Sequence, residues 1–432
     1  MNVESLKNIW RSVALLAVLG CLNPTPGSAA SPPGTWPQWR GPLLTGEAPD
    51  ANPPVSWSET NNIRWKVAIP GSGTSTPIVW SNRIFLTTAI PAPAGTNAEG
   101  SYQFQILCLD RKDGHTLWTR TVRTEVPHEK HHPDHGYASA SAVTDGDIVL
   151  AYFGSRGLHA CDLAGNIKWS KDFGRMKTRN SFGEGSSPAV QGDTVVVNWD
   201  DETENDFITA LDRKTGRELW RTPRSEDTGW STPLIVTHQG KAQVIVSATR
   251  RVRSYDLQTG KQLWECGGQT ANAIPTPVAS GDTVFVTSGF RGSAITAIAL
   301  GREGDLTGTD AIRWNRSRNT PYVPSPLLYA GKIYLVTGNN PVLTALDSTS
   351  GNPFFDGEKL EGMTGIYGSP VAAAGRIYIL GRNGLCLTLK NGPKLEILAR
   401  NQLDDKMDAS PALAGRDILL RGHQFLYCIA EP

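Results

Sequence analysis

The chain has 432 residues, and its 42 basic and 41 acidic side chains leave a formal net charge of +1 at pH 7. Because no basic stripe or acidic tail disturbs this balance, the sequence gives no support to nucleic acid as a partner. The 44 glycines and 29 prolines indicate a chain that turns often, and the 13 tryptophans need a core to bury them, which argues against a disordered chain.

Residues 1–30 have the features of an export signal. Lys7 and Arg11 precede an apolar run, residues 13–22, that is too short to span a bilayer, and small residues at 28–30 offer a cleavage site. Cys21 ends a segment that loosely resembles a bacterial lipobox, in which the cysteine is lipidated. We therefore expect an extracytoplasmic protein, periplasmic or associated with the cell envelope, that is attached to a membrane only through lipidation of Cys21, if at all.

After an extended N-terminal segment, residues 31–60, one phrase recurs through the rest of the chain. Its fullest copy is ALDRKTGRELW at residues 210–220. Related copies end at Trp65, Trp118, Trp169, Trp264, Trp314 and Phe355, and successive copies are 41 to 53 residues apart. This period predicts a four-stranded propeller blade rather than a shorter helical repeat.

The residues of the phrase have a simple physical interpretation. An apolar strand ends at Asp, a tight turn follows, and Gly adopts a backbone conformation that other residues avoid. A second strand then begins, and its Trp points into the gap between neighbouring sheets. We therefore interpret the Asp and Gly residues of the phrase as turn formers and not as catalytic groups.

A second element, a turn resembling Ser-x-Pro, occurs eight times, and a β-branched run follows each copy. The copies lie at residues 75–77, 139–142, 187–188, 231–233, 275–277, 325–326, 369–370 and 410–411. Together the two elements predict an all-β fold over residues 61–432, an eight-bladed β-propeller of four-stranded antiparallel blades.

The two ends of the repeat region are predicted to close the ring. The last blade ends after its third strand, residues 425–429, whereas residues 63–67 form an outer strand with no blade before it. Pairing of these two strands would complete the last blade with an N-terminal strand and would remove an exposed sheet edge.

These repeats resemble the pyrroloquinoline-quinone (PQQ)-like propeller repeat, A-x-D-x-x-T-G-x-x-x-W, over about residues 61–432. One branch of this superfamily contains the quinoprotein alcohol and glucose dehydrogenases, and another contains non-catalytic propellers such as BamB, a periplasmic lipoprotein of the outer-membrane assembly machine. The first branch implies PQQ, a calcium or lanthanide ion, an Asp general base and, in many members, a disulfide between adjacent cysteines. This sequence has no Cys-Cys pair and no C-x-x-C-H motif, and its candidate carboxylates, Asp200, Asp201, Glu202 and Asp408, do not match the metal-and-base pattern.

We therefore interpret the chain as a non-catalytic binding or scaffold module, without a cofactor, for a protein or small-molecule partner in the cell envelope. The alternative is a PQQ-dependent oxidoreductase, similar to alcohol or sugar dehydrogenases, that holds PQQ and calcium. A carbohydrate-active enzyme is a third hypothesis. It requires two opposed carboxylates, for which Glu184 and Asp408 are the candidates.

Propeller geometry brings two kinds of connection to the same end of the ring. These are the links from one blade's outer strand to the next blade's inner strand, and the loops between second and third strands. We call this end the link face and the opposite end the turn face. Polar and aromatic residues concentrate at the link face, which predicts a binding surface there. The candidate ligand-binding residues are His131, His135, Arg179, Asn180, Glu184, Trp230, Arg250, Arg291, Asn339, Tyr367 and Asp408.

Two clusters at the link face have alternative interpretations. The histidine-rich loop, residues 128–135, is a solvated polar loop, a zinc or copper site, or a set of ligand contacts; its spacing matches no metal motif, so we expect no metal. Residues 175–185 combine cations, an amide and a carboxylate, which would either orient an anionic or sugar-like ligand or form an ion-pair network between blades. The five cysteines beyond the signal are expected to be buried free thiols.

Overall fold

The computed structural model describes residues 31–95 and 98–431. Eight antiparallel sheets stand in a ring, one for each predicted blade, which confirms the eight-bladed β-propeller. The predicted signal segment, including Cys21, lies outside the described residues. Within the part of the chain that is described, no helix combines the length and the apolar character needed to cross a bilayer.

The strands follow the chain in blade order, each blade running from the channel outwards. Strand β1 (Ile63–Ala68) comes first. Blade 1 contains β2 (Ile78–Trp80), β3 (Arg83–Pro91), β4 (Tyr102–Asp110) and β5 (Thr116–Glu125), and blade 2 contains β6 (Val143–Thr144), β7 (Ile148–Tyr152), β8 (Leu158–Asp162) and β9 (Ile167–Lys171). Blade 3 contains β10 (Ala189–Gln191), β11 (Thr194–Trp199), β12 (Phe207–Asp212) and β13 (Glu218–Pro223), and blade 4 contains β14 (Leu234–His238), β15 (Lys241–Val246), β16 (Val252–Asp256) and β17 (Gln262–Cys266).

Blade 5 contains β18 (Val278–Ser280), β19 (Thr283–Ser288), β20 (Ala294–Ala299) and β22 (Ile312–Arg316), with the two-residue β21 (Gly304–Asp305) between the last two in sequence. Blade 6 contains β23 (Leu327–Tyr329), β24 (Lys332–Val336), β25 (Val342–Asp347) and β26 (Pro353–Lys359), and blade 7 contains β27 (Val371–Ala373), β28 (Arg376–Leu380), β29 (Leu385–Lys390) and β30 (Ile397–Gln402). Blade 8 contains β31 (Ala412–Ala414), β32 (Asp417–Arg421) and β33 (Phe425–Ile429). Two short 3-10 turns, Gly154–Arg156 and Arg179–Ser181, lie in link-face connections.

The predicted closure is confirmed, because β1 forms the outer strand of blade 8. It pairs antiparallel with β33, with Ile63 opposite Ile429 and Val67 opposite Leu426. One departure from four strands occurs in blade 4, where β21 pairs in parallel with β17. This extra strand belongs to an insertion between the third and outer strands of blade 5, and it covers an edge that would otherwise be open.

The tryptophan of an outer strand packs on the turn of the next blade. Trp118 Nε1 donates to the Leu163 carbonyl at 3.0 Å, and Trp169 Nε1 donates to the Arg213 carbonyl at 2.9 Å. The same contact recurs at Trp65, Trp220 and Trp314. Trp264 differs, because its Nε1 donates to Gln243 of its own blade where the insertion replaces the usual turn of blade 5.

A second set of contacts joins the inner strands around the channel. Two residues before each inner strand lies a Ser or Thr, and from Thr76 to Ser369 its backbone N–H donates to the side-chain oxygen of the equivalent residue in the next blade. In the described chain seven such bonds, 2.9 to 3.2 Å long, connect Thr76, Ser141, Ser187, Thr232, Thr276, Ser325, Ser369 and Ser410 in that order. We call these eight residues the hydroxyl ring.

Residues 31–60 enter at the turn face and fill the channel from that side. Trp36 forms two backbone hydrogen bonds with Val79 of β2, 2.9 and 2.8 Å long. Further along, the Ala48 N–H donates to the Ala372 carbonyl of β27 at 2.9 Å, on the other side of the channel. The Trp36 side chain is fully buried. The segment therefore belongs to the core of the propeller, a role that its lack of repeats did not indicate.

Candidate functional site

A cavity of about 260 Å³ lies in the channel and opens at the link face. Link residues form its walls, and six members of the hydroxyl ring line it. Trp39, from the segment that fills the channel from below, forms its floor. We call this cavity the cup. The N-terminal segment thus turns an open channel into a site that a ligand enters from one face.

The cup has an aromatic wall and a polar wall. Phe182, Trp230 and Tyr322, from the links that enter blades 3, 4 and 6, form the aromatic wall. The Trp230 indole is fixed in place because its Nε1 donates to the Gly183 carbonyl at 2.8 Å. The polar wall comes from the links that enter blades 2, 7 and 8. A ligand with one flat apolar part and one polar part matches this arrangement.

Arg382, from the loop between β28 and β29, holds both carboxylates of the polar wall. Its Nε lies 2.6 Å from Asp408 Oδ1, and its Nη2 lies 2.8 Å from Asp134 Oδ1. The guanidinium also stacks on the Tyr367 ring, 4.0 Å from its centroid, and the Tyr367 hydroxyl donates to Asp134 at 2.9 Å. His423 Nε2 lies 2.8 Å from Asp408 Oδ2. The two carboxylates are thus already bonded to protein donors.

These donors set the protonation of the polar wall. Hydrogen bonding to Arg382 holds the pKa of Asp134 well below its usual value, although desolvation opposes the shift. Burial alone would raise the pKa of Asp408, but hydrogen bonds from His423 and Arg382 outweigh burial and lower it. Lys406 Nζ lies 3.6 Å from Asp134 and 3.7 Å from Asp408. Both carboxylates are therefore ionised and neutralised by cations at neutral pH.

The histidine-rich loop contributes two of its four imidazoles to the cup. The rings of His132 and His135 are stacked, with centroids 6.0 Å apart, and burial lowers the pKa of His135. His131 turns away from the cup and packs edge-on against Tyr137 at 4.5 Å. Among the described residues, three possible metal-ligating atoms come within 4.8 Å of one another only at Asp110, Asp113 and His115, on a turn of blade 1.

Four of the eleven predicted site residues line the cup, namely His135, Trp230, Tyr367 and Asp408. The other seven do not: His131, Arg179, Asn180, Glu184, Arg250, Arg291 and Asn339. The structure thus brings four of the eleven residues together in one cavity, and the ligand-binding role predicted for all eleven stays a prediction.

Five of the residues outside the cup are either paired with acidic side chains or exposed to solvent. Arg179 lies 3.2 Å from Asp227 and 3.5 Å from Glu202, and Arg250 lies 3.0 Å from the same Asp227. For Arg179, this favours the ion-pair network over ligand contacts. Arg291, Asn180 and Asn339 are exposed on the link face, beyond the cup.

Glu184 points away from the cup and into blade 2. Its carboxylate accepts hydrogen bonds from the Ser155 hydroxyl at 2.6 Å and from the Ser155 backbone N–H, and Arg156 Nη1 lies 3.2 Å away. Burial raises the pKa of Glu184. Because Glu184 does not line the cup, it does not oppose Asp408 across it, and the pair required by the carbohydrate-active hypothesis is not formed.

Three important residues of the site were not among the predicted eleven. Trp39 forms the floor, Arg40 lies beneath it, and Arg382 organises the polar wall. The aromatic residues in front of the first repeat were the available signal for Trp39. Nothing comparable marked the pairing of Arg382 with Asp134, since 248 residues separate them.

Sequence comparison supports the family that the repeats indicate. The family model described as outer membrane protein assembly factor BamB matches residues 50–195, 168–300 and 248–354. A search of curated proteins finds no match for the chain.

Solved structures with the same fold come from both branches of the superfamily. BamB from Moraxella catarrhalis is 12% identical, with a TM-score of 0.56 over 84% of this chain and 98% of that chain. A europium-containing methanol dehydrogenase is 10% identical, with a TM-score of 0.67 over 93% and 98%. The quinohemoprotein alcohol dehydrogenase from Comamonas testosteroni is 11% identical, with a TM-score of 0.64 over 93% and 81%. At such identities the likeness shows the fold alone.

The matched ranges together cover residues 50–354, more than half of the chain. They include five complete blades, from β2 to β22, and their tryptophan contacts. The chain therefore belongs to the family of outer membrane protein assembly factor BamB.

Proposed function

We propose that this protein is a non-catalytic binding module of the cell envelope, which receives a small ligand or a segment of a protein partner in the cup. Membership of the BamB family and the predicted export signal at residues 1–30 support the location. The ion pairs of Arg382 with Asp134 and Asp408 are the observation that carries the proposal. A general base needs a carboxylate whose pKa is matched to its task and whose oxygen is free, and neither carboxylate meets these conditions.

The alternative, a quinoprotein oxidoreductase, requires PQQ with calcium, and the donors of the cup do not fit the ion. Calcium takes roughly six to eight oxygen ligands, mostly carboxylates and carbonyls. The oxygens of Asp134 and Asp408 are bonded to Arg382, Tyr367 and His423. A divalent cation at this wall would also be repelled by the guanidinium of Arg382. We therefore derive no reaction step through a quinone and its metal.

A cofactor titration separates the two functions. The mature protein is titrated with PQQ in the presence of calcium, followed by quinone absorbance and by the fluorescence of Trp39 and Trp230 in the cup. Dye reduction is measured with alcohols and sugars. We expect no dye reduction with any substrate. Saturable PQQ binding at micromolar concentration together with substrate-dependent dye reduction would replace the proposal with the oxidoreductase.

Site-specific photo-crosslinking tests whether the cup binds a partner. A photoreactive residue at Tyr322, on the aromatic wall, is compared with one at Leu398, which is exposed on the outer strand β30. We expect crosslinked products in the cell envelope that depend on Tyr322 and are absent at Leu398. Equal products at both positions would mean that the cup has no special role in binding.

A further inference from the structure

Two arginines beside the channel are fully buried, and neither has a carboxylate partner among the residues that the structure describes. Arg40 donates to backbone carbonyls alone, those of Pro326 at 2.8 Å, Thr45 at 3.1 Å and Pro370 at 3.2 Å. Its buried Nε has no hydrogen-bond partner in the described chain. A buried charge that lacks a counter-ion is costly, so its retention requires a reason.

Arg421 repeats this situation on another side of the channel. It donates to the Ser75 hydroxyl and to the Thr87 carbonyl, the latter at 2.8 Å. Burial lowers the pKa of both Arg40 and Arg421 to about 9, so that both groups remain cations at neutral pH. The fold thus keeps two positive charges in its interior that are bonded to neutral oxygen atoms alone.

Both charges lie close to the cup. The Arg40 guanidinium carbon lies 5.5 Å from the centroid of Trp39, the floor residue. Its acceptors Pro326 and Pro370 directly follow two members of the hydroxyl ring. Arg421 bonds Ser75, whose neighbours on both sides line the cup.

The remaining strong charges of the cup cancel, because Arg382 and Lys406 face Asp134 and Asp408. The field of Arg40 and Arg421 in the cup is therefore positive. Low-dielectric surroundings weaken that field less than water would.

The hydroxyl ring supplies hydrogen-bond donors at the same level. The oxygens of Ser141, Ser187, Thr232, Ser369 and Ser410 line the cup, and each accepts a backbone N–H from the preceding blade. A hydroxyl that accepts in this way still has its own proton to donate. Within the described chain none of these five protons has an acceptor, so the ring offers donors towards the centre of the cup.

We infer that the cup binds a small organic anion, in which a carboxylate is joined to a flat apolar group. The carboxylate lies at the hydroxyl ring, near Arg40 and Arg421, and the apolar group lies against Trp230 and Tyr322. A cavity of about 260 Å³ accommodates a single-ring acid. This inference rests on the proposed binding function and gives it a class of ligand.

Three single-ring probes of similar size and different charge test the inference on the mature protein. Benzoate, benzyl alcohol and benzylammonium are titrated separately, and binding is followed by tryptophan fluorescence and saturation-transfer NMR. We expect benzoate to bind at least about tenfold more tightly than the other two, because only its charge is favoured by the field in the cup. Equal or tighter binding of the neutral or cationic probe, or no binding of any probe, overturns the inference.

An Arg40→Gln variant identifies the source of the anion preference. We expect its benzoate affinity to fall at least about tenfold while its affinity for benzyl alcohol changes little. Arg175→Gln is the matched control, because Arg175 is exposed at the link face and has no ion pair in the described chain. It removes the same charge and should leave benzoate binding unchanged.

Circular dichroism first establishes that Arg40→Gln is folded; if it is not, the three-probe comparison on the unmodified protein decides the question. Failure of the anion preference leaves the proposed binding function standing, since that function is refuted by a different result, PQQ-dependent dye reduction.

Discussion

The indole of Trp118 lies directly on Gly165 of the next blade. A Cβ atom at Gly165 would be 2.8 Å from the ring carbon Cδ2, and the Gly165 φ of +85° belongs to the region that favours glycine. The repeated phrase therefore does more than form a turn. Its Gly allows the turn to accept the Trp of the preceding blade, so that each copy of the phrase specifies one blade-to-blade contact.

Gly165→Ala should destabilise the protein through both strain and steric overlap. Gly192→Ala is the control, because Gly192 also has a positive φ, +57°, but no atom lies within 4 Å of a Cβ placed there. We expect the control to cost about 1 kcal/mol, the price of a left-handed conformation, and Gly165→Ala to cost at least about twice as much. Urea denaturation of both variants measures the difference. Equal losses would mean that the Trp118 contact adds nothing to the strain.

The hydroxyl ring is expected to contribute to stability through its oxygen atoms. In Ser369→Ala the buried backbone N–H of Ser325 loses its acceptor, which should cost about 1–3 kcal/mol. Ser247→Ala is a suitable control, since Ser247 is equally buried but its hydroxyl has no partner in the described chain. The control should be neutral or slightly stabilising in the same urea titration. A loss at Ser247 as large as that at Ser369 would contradict the role given to the ring.

The fold could be predicted from the sequence because its determinants are local and repeated. Each blade carries its own turn and its own tryptophan, and the unpaired strands at residues 63–67 and 425–429 indicated how the ring closes. The exception, β21 of blade 4, lies in an insertion that has no counterpart in the other blades.

The site was predicted less completely, because its residues are brought together by the ring and not by the repeat. Propeller geometry identified the link face, but it did not distinguish side chains directed into the channel from those paired with neighbours, as Arg179 and Arg250 are. Trp39 comes from outside the repeats altogether. Hydrophobic periodicity carries no information about such long-range contacts.

The five cysteines beyond the signal are expected to be unreactive in the native protein. All five, Cys108, Cys161, Cys266, Cys386 and Cys428, are buried and free. Burial raises the pKa of Cys108, Cys161 and Cys428 to about 12, and thiolate is the reactive form. A thiol-exchange reagent at pH 8 should therefore react with none of them until denaturant is added, when all five should react. Rapid reaction of any thiol in the native state would show that its strand opens to solvent.

The pH dependence of stability should report the ion pair between Arg382 and Asp408. The pKa of Asp408 is lowered in the folded state, so the folded protein binds fewer protons than the unfolded chain in acid. The stabilisation that follows is present above the ordinary carboxyl pKa, about 4, and is lost as the pH falls towards the lowered folded value. Asp408→Asn should therefore cost about 2 kcal/mol at pH 7, because Arg382 then keeps only the more exposed Asp134 as a charged partner, and less in acid.

The measurement compares urea unfolding of the unmodified protein and Asp408→Asn between pH 7 and pH 3. The difference in unfolding free energy should shrink as the pH falls, because protonation removes from the unmodified protein the charge that the variant already lacks. Asp310→Asn provides the control, since the Asp310 side chain is 83% exposed and only loosely paired with Arg302, at 3.4 Å. Its difference should stay near zero throughout. A difference at Asp408 that does not change with pH would mean that packing, and not the charge on Asp408, stabilises the polar wall.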